Sequence, residues 1–317
     1  MDIPARYAEM ARGTRAFAAL NAARESDRMS HAYLLASPDD LLSVCVAVAL
    51  ACASACARGG CLTCPVCKRI LSGRCGDVRV FGEDGLTTAD ADEAVALSLV
   101  TPGELDKRWS VVMMTDANEA AQNKLLKTLE EPPETDVFFV ITRDRAAVLP
   151  TIASRCEELS PRLPEGALRR MEGGMSPYLD YALYAGGDSL TEFDELLGGA
   201  GVGDLTAAIR LVRAAGSGDV AGAAFALPSS REDAANVLKY VERILGDVIR
   251  AHAGMAPDTR GLYDMDELTK AYPLAALPEV LSAVRRAVSR VPSGNMASVA
   301  DALAITITEV TEKCRRL

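Results

Sequence analysis

Residues 123–156 read NKLLKTLEEPPETDVFFVITRDRAAVLPTIASRC, and the order of signals in this stretch sets the architecture. Leu125, Leu126 and Leu129 recur at helical spacing, while Lys124, Lys127, Glu130 and Glu131 solvate the opposite face. Pro132 and Pro133 stop that helix, because proline supplies no amide donor and clashes with the preceding turn. Val137 to Ile141 follows as a short continuous apolar run rich in β-branched and aromatic residues, which predicts a strand covered on both faces in a parallel sheet. Thr142 falls at its carboxyl end, where such sheets bind ligands. The fold class is therefore α/β.

Working outward, Ala5 to Arg24 predicts a helix packed through Phe17 and Leu20, and His31 to Ser37 the first core strand. Asp39 to Ala57 predicts a second helix, with Asp39 as its cap or first-turn acid. Val78 to Phe81 and Trp109 to Thr115 read as strands, separated by a helix over Ala89 to Val100. Beyond Leu159 the composition changes. Pro161 and Pro164 bracket a linker, short helices are expected over Leu168 to Met175 and Ser176 to Gly187, and everything from about Gly201 reads as helix. Three long segments, Arg231 to Ala253, Leu277 to Val291 and Met296 to Leu317, carry broad apolar stripes.

Cys52, Cys61, Cys64 and Cys67 follow the spacing C-x8-C-x2-C-x2-C, and thiolates this close in sequence can converge on one tetrahedral zinc. Cys56 and Cys75 are alternatives for the fourth ligand. An iron–sulfur cluster is the competing metal reading, opposed by the lack of a Cys-Pro at the required offset. Cys45 fits a small buried residue on a helix face.

The 317 residues allow two or three domains, and a composition of 49% hydrophobic and 25% charged residues is that of a globular protein. Leu41 to Ala57, the longest candidate span, is too short to cross a membrane, and no cleavable leader is recognisable, so a cytoplasmic location is expected. In that compartment nine cysteines imply metal ligation or buried thiols and not disulfides. A formal charge of −10 opposes independent DNA binding, which depends on a basic field.

LLKTLEEPP followed by a strand and then PTIASRC resembles the nucleotide-binding domain of bacterial clamp-loader subunits, a branch of the AAA+ ATPases. The resemblance implies an AAA+ type parallel sheet with helices on both faces over residues 1–162, carrying a zinc-module insertion at 52–75. A small helical lid over 163–200 and a helical collar over 201–317 would follow, with YALYAGGDSL (Tyr181 to Leu190) as the lid's helix-glycine-helix turn. It further implies that Arg155, flanked by Ser154 and Cys156, reaches the γ-phosphate of ATP held by a neighbouring subunit. In the family the first strand leads into GxxxxGK[ST]. Here Ser37, Pro38, Asp39, Asp40, Leu41, Leu42, Ser43 and Val44 stand in its place, without a glycine or the lysine. No phosphate nest can form, and two carboxylates would oppose polyphosphate. Only Asp116 remains of the acids expected after Trp109 to Thr115, and a turn or cap role is the better reading of it.

This pattern matches a member that binds no ATP, carries structural zinc and is not an enzyme by itself. Its implied partners are gamma/tau and delta subunits and, through the complex, the sliding clamp and primer-template DNA. The alternatives are an ATP-hydrolysing motor subunit and a zinc-dependent adaptor outside the clamp loader.

Overall fold

The computed structural model describes residues 1–170, 176–257 and 259–316. They fall into two compact units, one of Met1–Glu172 with Asp188–Thr191 and the other of Gly173–Gly187 with Glu192–Leu317. The segment 163–200, expected as a lid, is thus divided between the two.

The first unit opens with α1 (Ala5–Arg12) and α2 (Arg15–Glu25) where one helix was expected. Thr14 makes the break: its backbone is extended and its hydroxyl accepts the Phe17 amide, so a new helix starts there. Then come β1 (Ala32–Ala36), α3 (Asp40–Ala55), α4 (Pro65–Leu71), β2 (Val78–Phe81), α5 (Thr88–Ser98) and β3 (Arg108–Met113). The unit continues with α6 (Glu119–Glu130), β4 (Asp136–Thr142), α7 (Pro150–Ala153) and β5 (Glu157–Leu159). All strand pairs are parallel, in the order β2-β3-β4-β1-β5. The three-residue β5 was not foreseen, since two exposed glutamates hide the apolar alternation that betrays a strand.

Alternate residues point to opposite faces of the sheet. Leu34, Val112, Phe138 and Val140 pack with Ala91 and Ala94 of α5, Leu125 and Leu129 of α6 and Ile152 of α7. On the other face Tyr33, Phe139 and Trp109 stack in a row, with ring centroids 5.5 and 5.9 Å apart, and α3 packs over β3 and β4. Alanine, valine and cysteine leave α3 narrow enough to be buried nearly all round by α1, α2 and α4. Helices therefore cover both faces, as the continuous apolar strands required.

The second unit is helical: α8 (Leu179–Ala185), α9 (Leu190–Leu197, beginning in the first unit), α10 (Val202–Ser217), α11 (Val220–Ala226) and α12 (Arg231–His252) lead to α13 (Met265–Ala271), α14 (Leu277–Arg290) and α15 (Met296–Arg315). Val237, Leu238, Val241, Leu245 and Val248 of α12 form the stripe read from the sequence, packed against Leu205, Leu211, Leu277, Val284, Leu303 and Ile307. The core also contains a polar knot. Asp247 is 3% exposed and accepts from the hydroxyls of Tyr184, at 2.9 Å, and Tyr263. Only a short 3-10 turn, Leu168–Arg170, is found where a helix over Leu168 to Met175 was expected, and residues 171–175 lie outside the described residues.

Candidate functional site

The connections leaving β1 and β4 pass to opposite sides of the sheet, so the mouth of an α/β site lies at their carboxyl ends. Here the chain turns from β1 through Ser37 and Pro38 into α3, whose amino terminus favours negative charge. The negative charge is supplied by the protein. Asp39, 6% exposed, caps α3 by accepting the Leu42 amide at 3.0 Å. Its carboxylate also accepts the Leu190 amide at 2.7 Å, the Thr191 amide at 3.2 Å and the Thr191 hydroxyl at 2.6 Å. Asp40, 2% exposed, accepts Arg143 Nε at 2.6 Å and the Thr115 hydroxyl at 3.2 Å. Ser37 donates to the Pro161 carbonyl, and Leu42 and Ser43 are buried. Thr142 donates to the Asp144 carbonyl at 2.7 Å, and exposed Asp116 occupies a turn at φ 51°, with Asn118 and not Asp116 capping α6.

At the far end of α3 four thiols, those of Cys56, Cys61, Cys64 and Cys67, lie within 4.8 Å of one another and could hold a metal ion. Sulfurs bonded tetrahedrally to zinc at about 2.3 Å stand about 3.8 Å apart. Cys56 lies 3.6 Å from Cys61 and 3.8 Å from Cys64, so the set fits that ion. The quartet differs from the expected Cys52, Cys61, Cys64 and Cys67: Cys56 stands where Cys52 was placed. The reason is the helix end. Cys56 is the extended C-cap of α3 and joins the loop that follows, whereas Cys52 remains in the helix interior, its sulfur 4.0 Å from the Cys67 carbonyl. Burial pushes the Cys52 thiol up to about 12. Cys61 has the opposite environment: the backbone amide of Thr63, then its hydroxyl, donate to the sulfur and bring the thiol down to about 5. Gly60, at φ +81°, carries the loop past α3, where a Cβ would stand 3.0 Å from the Ala53 backbone. Cys75 lies outside the quartet, 3.9 Å from a Glu104 carboxylate oxygen.

Arg155 occupies the turn between α7 and β5. Nη1 donates to the Thr151 carbonyl at 2.5 Å and to the Ser154 hydroxyl at 3.4 Å, while Nη2 pairs with Glu130 at the end of α6. The two distinctive ends of the opening stretch, LEEPP and SRC, thus meet in one ion pair. Some 32% of the Arg155 side chain remains exposed. Cys156 is half-buried, and burial pushes its thiol up to about 11. Glu130 was read only as a solvated helix residue, although its place in LEEPP was the available signal. Thr191, 152 residues from Asp39 in the chain, gave none.

Residues 13–162 match the family described as DNA polymerase III, delta subunit. A delta' subunit of DNA polymerase III from Bacillus subtilis is 35% identical over 164 residues, covering 49% of this chain and 50% of that protein. The first unit resembles delta' subunits of bacterial DNA polymerase III. The delta' subunit of Escherichia coli is 35% identical over 150 residues, covering 44% of this chain and 45% of its own. A gamma/tau subunit from Mycobacterium tuberculosis is 31% identical over 221 residues, covering 62% of this chain and 38% of that protein. The chain thus spans about half or less of the length of these relatives. The clamp-loader likeness first read from LLKTLEEPP and PTIASRC is borne out on this delta'-like unit.

Proposed function

We propose that this chain is a delta' subunit of a DNA polymerase III clamp loader that hydrolyses no ATP itself and lends Arg155 to an ATP-bound neighbour. One contrast carries the reading: the carboxylates of the phosphate loop are met by the chain's own donors, while the Arg155 guanidinium, ion-paired with Glu130, stays partly exposed in its Ser154–Arg155–Cys156 setting. A guanidinium is permanently charged and forks onto phosphate oxygens, and such fingers are worth roughly 10³ to 10⁵ in turnover. Thr151, Ser154 and Glu130 hold it in the turn. On this reading the partners are the gamma/tau motor and the delta subunit, and the complex would load the sliding clamp onto primer-template DNA in the cytoplasm. Residues 163–200 would serve as a lid and 201–317 as a collar joining neighbouring subunits. Among the described residues no helix is long and apolar enough to cross a membrane.

Cys56, Cys61, Cys64 and Cys67 would hold one zinc whose work is structural. It would fix a loop, residues 57–63, that has little apolar core of its own.

Reconstitution with gamma/tau and delta tests the proposal. The complete assembly should show DNA-stimulated ATP turnover that collapses when Arg155 is replaced by alanine. Unchanged turnover would remove the finger role. A motor-subunit reading is favoured by the longer match to gamma/tau, over 62% of this chain. It would require micromolar ATP binding by the isolated chain, whereas the proposal expects none. A free-standing zinc adaptor would fail to co-elute with the motor subunit on gel filtration.

A further inference from the structure

The two edges of the sheet are finished differently. On one side β5 presents Glu157 and Glu158, both exposed, in a three-residue strand, the kind of short charged edge that resists further pairing. On the other side β2 presents Val78, Arg79, Val80 and Phe81. The Trp109 amide donates to the Asp77 carbonyl at 2.7 Å, and Val78 stands opposite Trp109 in the parallel register. Residues 77, 79 and 81 therefore bond to β3, while the backbone polar groups of Val78 and Val80 face away from the sheet. The Val78 amide is met by the Cys75 carbonyl at 3.2 Å. The Val78 carbonyl and both polar groups of Val80 have no partner among the described residues.

No charge guards this edge. The Arg79 side chain lies over Phe81 and pairs with Glu93 of α5 at 2.8 Å, on the face of the sheet away from Val78 and Val80. Beside the two valines a cavity of about 450 Å³ opens, with buried Ile3, Val48 and Ile70 among its walls. Glu83 is the one carboxylate among its lining residues, and it is paired with the Met1 amine at 2.7 Å. Arg74 also lines the cavity, is exposed, and has no carboxylate partner among the described residues. A chain of net charge −10 thus leaves a cation uncompensated beside an open strand edge.

We propose that the outer edge of β2 docks an extended acidic segment of a partner protein, which adds as a sixth strand, seats an alternate apolar side chain in the cavity and sets a carboxylate on Arg74. Strand addition uses the unpaired amide and carbonyls for affinity and the cavity for specificity. Arg74 supplies the charge complementarity that selects an acidic segment. A nucleic-acid phosphate could also meet Arg74, but it would leave the Val78 and Val80 carbonyls facing another acceptor. The proposal stands apart from the role given to Arg155, and its outcomes leave that role untouched.

Amide hydrogen exchange on the full chain tests it. In the chain alone the Val80 amide should exchange nearly as fast as a loop amide, while the Arg79 amide, bonded to β3, is protected. A capped synthetic peptide alternating valine with glutamate should protect Val80 roughly tenfold or more and leave Arg79 unchanged. The same peptide with lysine for glutamate should bind at least about tenfold more weakly, and a single-stranded oligonucleotide should not displace the acidic peptide. Arg74→Glu should weaken binding by about tenfold or more. Val80→Pro removes only the outward amide, which an edge strand tolerates, and should abolish binding. If Val80→Pro alters the fluorescence of buried Trp109, Arg74→Glu carries the test. Slow exchange at Val80 in the chain alone, no protection by the acidic peptide, equal binding of the lysine peptide, displacement by the oligonucleotide, or unchanged binding by Arg74→Glu would each overturn the proposal. A concentration-dependent dimer that protects Val80 without peptide would assign the edge to a second copy of this chain and overturn it as well.

Discussion

At the carboxyl ends of the strands Asp39 is met by four donors and Asp40 by two, whereas at the amino ends of the same sheet Asp136 is equally buried and poorly supplied. The comparison isolates what burial of a carboxylate depends on. The carboxyl end offers helix amino termini, whose free amides are donors in search of an acceptor. At the amino end Asp77 captures what is available. Burial raises its pKa, but the amides of Glu104, Leu105 and Gly103, with Arg108, more than offset that and hold it below the usual range. Among the described residues Asp136 has a Thr135 hydroxyl at 3.5 Å and the nearby Arg108 charge, its Oδ2 has no partner, and burial lifts it to about 6. The amino end also carries Arg155, partly exposed and paired with Glu130, just before β5. The carboxyl end thus supplies most of its carboxylate oxygens with the chain's own donors, Asp40 Oδ1 excepted, while at the amino end Asp77 takes the donors that Asp136 lacks.

The largest test concerns the cysteine quartet beyond α3. Cys56→Ser should abolish stoichiometric zinc and open residues 57–67 to exchange, while Cys52→Ser should retain about one zinc per chain by elemental analysis. The reverse result would return Cys52 to the set. Next comes Arg155. Arg155→Ala should cut turnover of the reconstituted assembly by about 10³ without altering the melting of this chain, measured by a coupled ATPase assay and calorimetry.

A third prediction reads the buried aspartates directly. Because the folded pKa of Asp136 is raised, the folded state binds more protons than the unfolded chain between about pH 4 and 6. Stability should therefore fall as pH rises through that window. Asp136→Asn should be more stable at neutral pH by up to about 3 kcal/mol and should show a flatter dependence. Trp109, the single tryptophan, is buried beside Arg108 and reports unfolding of the first unit by fluorescence. Equal stability of wild type and variant at pH 7.5 would mean that the missing donors cost nothing.

The smallest effect is expected at Glu130. Both partners of its ion pair with Arg155 are partly exposed, so Glu130→Ala should cost about 1 kcal/mol or less in stability. It should lower turnover of the assembly by under about tenfold, and add nothing to Arg155→Ala. An additive loss would show that Glu130 acts apart from the arginine.

Much of the first unit was legible because its signals are local. The double proline after Glu131, the apolar run Val137 to Ile141 and the proline at the start of α4 each act within a few residues, and the strand and helix stand where those signals put them. The compact triplet Cys61, Cys64 and Cys67 was legible for the same reason. The fourth thiol was not, because it depends on where α3 gives up its helical backbone, a matter of one turn. Strand β5 escaped because an edge strand with two solvated glutamates carries no periodicity. The break at Thr14 was local but weak, a threonine cap inside a continuous alanine-rich pattern.

By itself the sequence determined that this chain has a parallel α/β unit followed by helices, that its phosphate loop has lost glycine and lysine, and that an arginine remains between Ser154 and Cys156. These are properties of neighbouring residues, fixed by sterics and by the period of the apolar pattern. Tertiary structure decided what meets what: Asp39 with Thr191, Asp40 with Arg143, Arg155 with Glu130, and Cys56 with Cys64. Such pairings arise from the order in which strands join the sheet and from where helices end. The partners need only be polar and in reach, so neither residue carries a mark of the other.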